Sequence, residues 1–138
     1  MSKTKMILAV TALGLVTVVS SAVAGNPKSS SSISLVLVSS ARTTAATTDA
    51  TFGSQVTFDV STNATDRPYV LVNCYQNGTW VYAGQAGFWA DALFGQNFTL
   101  ASTSWTSGAA TCTARLGALN ADGTRFRELA STSFNVTG

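Results

Sequence analysis

The stretch YVLVNCYQNGTWVYA, residues 69–83, indicates the fold of this chain more directly than any other segment. Apolar positions recur at period two on both sides of Asn77-Gly78, a pattern typical of β-strands with one buried face. Asn-Gly favours a type I′ turn, because both central residues of that turn need positive φ. We therefore predict a β-hairpin, with one strand at Tyr69 to Gln76 and the next at Thr79 to Ala83.

The same alternation predicts strands on both sides of the hairpin. Gln55 to Thr62 alternates cleanly between apolar and polar residues, and Ser39 to Ser54 predicts either a long connection or a weak edge strand. The other predicted strands are Ile33 to Val38, Gln96 to Ala101, Ala109 to Leu116 and a last one within Arg125 to Val136. About seven short strands with turn signals between them predict an all-β fold, a sandwich of two antiparallel sheets.

The N-terminal segment has the pattern of an export signal. Two lysines lie within Met1 to Lys5, an apolar run follows from Ile7 to Val19, and Ala22-Val23-Ala24 offers small residues for signal peptidase. We therefore predict a signal peptide at 1–24, a flexible lead-in at 25–32, one domain at 33–138 and a secreted or extracellular protein. The alternative is an uncleaved membrane anchor, since a bilayer is crossed by roughly 20 apolar residues.

The charge balance argues against a nucleic-acid partner. The chain has eight Lys and Arg, six Asp and Glu, and no His. Cleavage after Ala24 removes Lys3 and Lys5, so six basic residues would remain against six acidic ones. Nucleic acids and anionic membranes attract clusters of Lys and Arg, which a neutral mature chain does not offer.

Four segments resemble bacterial secreted immunoglobulin-like domains. They are Gly53-Ser-Gln-Val-Thr-Phe, Cys74-Tyr-Gln-Asn-Gly-Thr-Trp, Trp105-Thr-Ser-Gly-Ala-Ala-Thr-Cys112-Thr-Ala and Phe134-Asn-Val, and the likeness spans Ile33 to Val136. The resemblance implies an architecture but no function. Antibody-type domains have their first cysteine on the second strand and bond it across the two sheets. This chain departs from that pattern, because two predicted strands precede Cys74.

An immunoglobulin-like strand order makes the third and sixth predicted strands neighbours in one sheet. Cys74 and Cys112 would then form a cross-strand disulfide, which stabilises by about 3 to 4 kcal/mol through loop closure. Free buried thiols are the alternative. Two thiolates without histidine do not complete a zinc shell, so we predict no metal and no cofactor.

The predicted hairpin register sorts its side chains onto two faces. A two-residue turn pairs Tyr75 with Trp80, Cys74 with Val81 and Asn73 with Tyr82. The core face would carry Val70, Val72, Cys74, Val81 and Ala83, with Ala110, Cys112, Ala114 and Leu116 of the sixth strand. The outer face would carry Leu71, Asn73, Tyr75, Trp80 and Tyr82, beside Thr111, Thr113 and Arg115.

Exposed aromatic rings offer a large contact area at low entropic cost. The candidate binding residues are therefore Tyr75, Trp80, Tyr82, Asn73 and Arg115. A structural role is the alternative: these rings would stabilise the sheet by about 0.2 to 1 kcal/mol per pair. A second structural alternative is that a loop folds over these rings. The segment Gly84 to Gly95 could do so, because it contains Phe88, Trp89, Leu93 and Phe94. Trp105 is expected to anchor the core or a loop.

Three functions remain open. The first is a secreted or cell-surface module that acts through protein contacts, in a structural, adhesion or assembly role that includes self-association. The second is a carbohydrate- or cell-wall-binding module in which the aromatic rings stack on sugars while Asn73 or Arg115 supplies polar contacts. The third is a secreted enzyme inhibitor. Catalysis is disfavoured, because histidine is absent and no pair of acids is placed for acid–base chemistry.

Overall fold

The computed structural model of the chain describes residues 29–38, 43–46 and 49–138. Within these ranges every regular element is a β-strand. In chain order they are β1 (Ser31–Val38), β2 (Thr43–Ala46), β3 (Asp49–Thr51), β4 (Gln55–Thr62), β5 (Tyr69–Gln76), β6 (Thr79–Gly87), β7 (Phe98–Thr99), β8 (Ala110–Leu119) and β9 (Phe126–Thr137). The all-β prediction is confirmed. The predicted signal peptide at 1–24 lies outside the described residues, and β1 begins inside the predicted lead-in.

The strands form two sheets, with orders β2-β1-β4-β7 and β3-β9-β8-β5-β6. Neighbouring strands are antiparallel except β3, which runs parallel to β9. β4 and β5 begin and end at the residues that the sequence predicted. The segment Ser39 to Ser54 contains two short strands, β2 and β3, where either a connection or one edge strand was expected. The strand predicted at Gln96 to Ala101 is only two residues long, as β7.

Apolar side chains from both sheets meet between them. Phe58 of β4 lies against Phe134 of β9, with ring centroids 6.1 Å apart. Trp105 is fully buried, and its indole Nε1 donates a hydrogen bond to the Gly108 carbonyl at 3.0 Å. The expectation that Trp105 anchors the core is confirmed. Among the described residues, no polar or charged side chain is buried, so the interior is held together by apolar packing.

The disulfide joins neighbouring strands of the five-stranded sheet. Cys74 and Cys112 are bonded, they are direct partners in the β5–β8 ladder, and both are 0% exposed. The bridge therefore links two strands within one sheet, as the strand order implied by the resemblance predicts, and does not cross the core.

The hairpin turn has the predicted geometry. Asn77 has φ 48° and Gly78 has φ 80°, the two positive values that a type I′ turn needs. Gln76 pairs with Thr79, and Tyr75 pairs with Trp80. The prediction of a two-residue turn is confirmed.

Beyond Trp80 the predicted register is wrong. A β-bulge places Cys74 opposite Tyr82, so Val81 is an extra residue on β6. A shift of one residue turns the following side chains to the other face of the sheet. Val81 is buried as predicted, but Tyr82 turns toward the core and Ala83 becomes exposed.

Candidate binding surfaces

One candidate surface lies on the outer face of the five-stranded sheet, beside the hairpin turn. We call it the hairpin surface; it consists of Asn73, Tyr75, Trp80, Thr111 and Thr113. In the ladder Tyr75 lies between Trp80 and Thr111, and Thr113 is the partner of Asn73. Trp80 is 58% exposed and Tyr75 is 45% exposed. The predicted grouping of Asn73, Tyr75 and Trp80 on one face is therefore observed.

The indole of Trp80 is held in place by a hydrogen bond. Its Nε1 donates to Oδ1 of Asn73 at 3.2 Å. Asn73 is two residues from the cross-strand partner of Trp80, so the indole leans diagonally across the sheet toward β5. The bond restricts the rotamers of a side chain that remains more than half exposed, and this restriction preorganises the ring for contact.

On the β8 and β9 side these rings are followed by polar, uncharged residues, while Leu71 and Ala83 also share the face. Thr113 Oγ1 lies 3.3 Å from Ser133 Oγ on β9, and Thr111 is paired with Asn135. These hydroxyl and amide groups are both donors and acceptors. The hairpin surface thus combines two aromatic rings with a field of neutral hydrogen-bonding groups.

Of the other two predicted site residues, Arg115 is on the outer face as predicted and Tyr82 is not. Tyr82 is half-buried against the core, with its ring centroid 6.3 Å from that of Trp105. Burial raises the pKa of the Tyr82 hydroxyl above its usual 10.0, because the phenolate would lose solvation. Arg115 faces outward, but its guanidinium carbon lies 5.4 Å from the centre of the Phe126 ring, in a cation–π contact. The predicted aromatic strip is therefore reduced to Tyr75 and Trp80.

A second candidate surface is formed by the segment after β6. Phe88 enters the core, with its ring stacked on that of Phe98 at 6.5 Å. Trp89 lies on the outer side against Tyr69, with centroids 4.9 Å apart. Leu93 is 92% exposed and Phe94 is 75% exposed. This segment does not cover Tyr75 and Trp80, which was the alternative considered for it.

An open, mostly apolar pocket of about 370 Å³ lies beside this segment. We call it the loop pocket; it is lined by Tyr69, Gln85, Ala86, Gly87, Trp89, Ala92, Leu93 and Phe94. Gly87 is needed there, since a Cβ at that position would lie 2.3 Å from Cζ3 of Trp89. The missing side chain lets the indole lie against β6, next to Tyr69.

Sequence reasoning missed the role of Tyr69, although a signal for it was present. The period-two rule places Tyr69 on the same face as Leu71, Asn73 and Tyr75. Tyr69 and Tyr75 are six residues apart on β5, which corresponds to about 20 Å. The loop pocket and the hairpin surface therefore lie toward opposite ends of one sheet face.

Two kinds of feature are missing from the part of the chain that the structure describes. No group of three or more His, Cys, Asp and Glu side chains is placed there to hold a metal ion. No helix in the same ranges has the length and apolar character that a membrane crossing requires.

Comparisons with protein-family models, with curated proteins and with solved structures give no match to this chain. The class of protein is therefore defined by structure alone: a disulfide-bonded, all-β, two-sheet chain with two candidate contact surfaces on one sheet.

Proposed function

We propose that this chain is a secreted, non-enzymatic, immunoglobulin-like module that acts through protein contacts in an assembly role. The observation that carries the proposal is the exposure of Leu93 and Phe94, at 92% and 75%, on the rim of the apolar loop pocket. Covering an apolar side chain of this size contributes about 1.5 to 3 kcal/mol. Contiguous exposed apolar groups of this kind are typical of protein interaction sites.

The strand order supports the immunoglobulin-like part of the proposal. In such domains strand F lies between C and G, and strand B lies between A and E. Here β8 lies between β5 and β9, and β4 lies between β1 and β7. The chain order of these strands agrees with that assignment.

The disulfide supports export. Disulfides persist in oxidising compartments such as the periplasm or the cell exterior, and they are rare in the cytosol. The Cys74–Cys112 bridge therefore agrees with the signal-peptide pattern at 1–24. Export and an extracellular location belong to the proposal.

The partner proposed for the loop pocket is a second copy of the chain. An apolar protrusion beside an apolar pocket is self-complementary, because a twofold axis lets each copy insert Phe94 into the pocket of the other. Such a contact uses Leu93 and Phe94 twice and contributes about 6 to 12 kcal/mol. Association costs about 4 to 15 kcal/mol, so we expect a weak dimer that becomes effective when many copies are displayed together.

Sedimentation velocity over a concentration series tests this proposal. We expect the chain lacking residues 1–24 to shift from monomer to dimer, and the double variant Leu93→Ser/Phe94→Ser to remain monomeric at the same concentrations. Trp80→Ala is the matched control, since it removes an exposed aromatic ring at the other end of the face and should dimerise normally. A wild-type chain that stays monomeric throughout, or a double variant that dimerises like the wild type, would contradict the proposal.

A further inference from the structure

We propose that the hairpin surface binds a neutral carbohydrate, and that it does so independently of self-association through the loop pocket. The chemistry that points to a sugar is the combination of an oriented aromatic ring with uncharged hydroxyl and amide groups. Three features carry the inference: the position of Trp80, the polarity around it, and the shape of the surface beside it.

The Trp80 ring is suited to stacking. It is 58% exposed, and its Nε1 is already bonded to Asn73 Oδ1 at 3.2 Å, so the ring orientation is set before a ligand arrives. Tyr75 is the direct cross-strand partner of Trp80 and extends the aromatic area onto β5. The C–H groups on the face of a pyranose ring carry partial positive charge, which complements the negative face of an aromatic ring.

The neighbouring polar groups complement sugar hydroxyls. Thr111, Thr113 and Ser133 offer hydroxyls that both donate and accept, and Asn135 offers an amide. All four are uncharged, and the nearest cation along β8, Arg115, is engaged with Phe126. Nucleic acid would require clustered Lys and Arg. On the β8 and β9 side, Tyr75 is followed across the ladder by Thr111 and Asn135, whose hydroxyl and amide groups can pair with sugar hydroxyls.

The shape of the surface favours an extended sugar chain. A shallow depression of about 390 Å³ borders Tyr75 and is lined by Gln76, Asn77, Thr111 and Asn135 among others. Ladder pairs place Trp80, Tyr75, Thr111 and Asn135 one after another across β6, β5, β8 and β9. A polymer of neutral sugars can lie along this row, with one unit stacked on Trp80 and another over the depression.

Depletion assays with three insoluble polymers test the inference. The chain lacking residues 1–24 is mixed with crystalline cellulose, with chitin and with an insoluble β-1,3-glucan, and the protein left in solution is measured. The variants are Trp80→Ala, which removes the ring, Trp80→Phe, which keeps an aromatic face, and Asn73→Ala, which releases the indole. Leu93→Ser/Phe94→Ser is the matched control from the loop pocket.

We expect at least one polymer to retain the wild type. Trp80→Ala should weaken that binding by about tenfold or more, equivalent to about 1.4 kcal/mol. Trp80→Phe and Asn73→Ala should fall between wild type and Trp80→Ala, because each keeps a ring without its orientation. The loop-pocket variant should bind like the wild type, even though it no longer dimerises.

Three results would overturn the inference: no retention of the wild type by any of the polymers, unchanged retention of Trp80→Ala, or retention that disappears with added salt. The last result would mean adsorption by charge. An intact disulfide by mass and a wild-type urea midpoint establish that each variant is folded. Because dimerisation is measured separately, failure of sugar binding does not affect the proposal for the loop pocket, and the reverse also holds.

Discussion

Reduction of the Cys74–Cys112 disulfide should lower the free energy of unfolding. The length of the loop that the disulfide closes determines how large this loss is. The bond joins direct neighbours on β5 and β8, and it closes a loop with a sequence separation of 38. In the chain-entropy model a closed loop of this length stabilises the folded state by about 4 kcal/mol, because it restricts the unfolded chain. Domains of this size have total stabilities of about 5 to 15 kcal/mol, so the loss would be a large fraction.

Urea unfolding of oxidised and reduced protein measures this effect. With a slope near 2 kcal/mol per molar urea, a loss of about 4 kcal/mol lowers the midpoint by about 2 M. The slope itself should rise on reduction, because the unfolded chain expands when the cross-link is absent. The matched control is Cys74→Ala/Cys112→Ala, whose midpoint should not respond to the reductant.

The expected midpoint of the double variant is close to that of the reduced wild type. Both sulfurs are fully buried, so replacing them also removes packed atoms, and a further loss of about 1 kcal/mol is expected. A midpoint shift on reduction below about 0.5 M would refute loop closure as the source of stability. The purified protein should be lighter by two hydrogens than its reduced form. A purified protein with the mass of the fully reduced chain would refute the pairing of Cys74 with Cys112.

Two further predictions follow from half-buried aromatic groups. Gly117→Ala should destabilise the fold by about 1 to 3 kcal/mol, and by more than Gly87→Ala does. The new Cβ at position 117 would lie 2.4 Å from the backbone oxygen of Arg127 and also against Phe126, whereas a Cβ at position 87 would meet only the Trp89 ring. Paired urea midpoints measure the difference, and equal losses of stability would contradict the prediction. Burial raises the pKa of the Tyr82 hydroxyl, so on titration the unfolded chain loses the hydroxyl proton before the folded chain does. The stability that Tyr82 contributes is therefore complete below pH 10 and falls as pH rises beyond it. Between mildly and strongly alkaline buffer, the urea midpoint of Tyr82→Phe should drop less than that of the wild type, and identical drops would show that Tyr82 does not cause the loss of stability.

Much of the sheet structure was predictable, because its signals are local. The alternation in β4 and β5 specifies both their length and their buried face, since a strand with one face in the core repeats every two residues. The turn at Asn77-Gly78 was predictable for a similar reason, because few other residue pairs accept positive φ at both positions. Of the candidate site, the grouping of Asn73, Tyr75 and Trp80 followed from these two signals alone.

The remainder of the site depended on contacts that local signals do not contain. The bulge after Trp80 is stabilised by what lies beneath β6, since Ser102 Oγ donates a hydrogen bond to the Val81 carbonyl and Tyr82 packs near Trp105. Gly84 makes room for this arrangement, because a Cβ there would lie 2.8 Å from the Tyr82 hydroxyl. Ser102 and Trp105 follow β6 in the chain and meet it only in the folded structure, so local alternation could not predict the bulge, and the outward position predicted for Tyr82 was wrong.

The sequence by itself determined the all-β class, the hairpin turn and the buried faces of β4 and β5, because each depends on a repeat or a turn within a few residues. Only the tertiary structure decided which aromatic rings of the segment after β6 stay exposed. Phe88 enters the core, Trp89 lies against Tyr69, and Phe94 is left open, although all three belong to one short segment. The reason is physical: each ring takes the space that the opposite sheet and the neighbouring strands leave free, and that space exists only once the two sheets have packed.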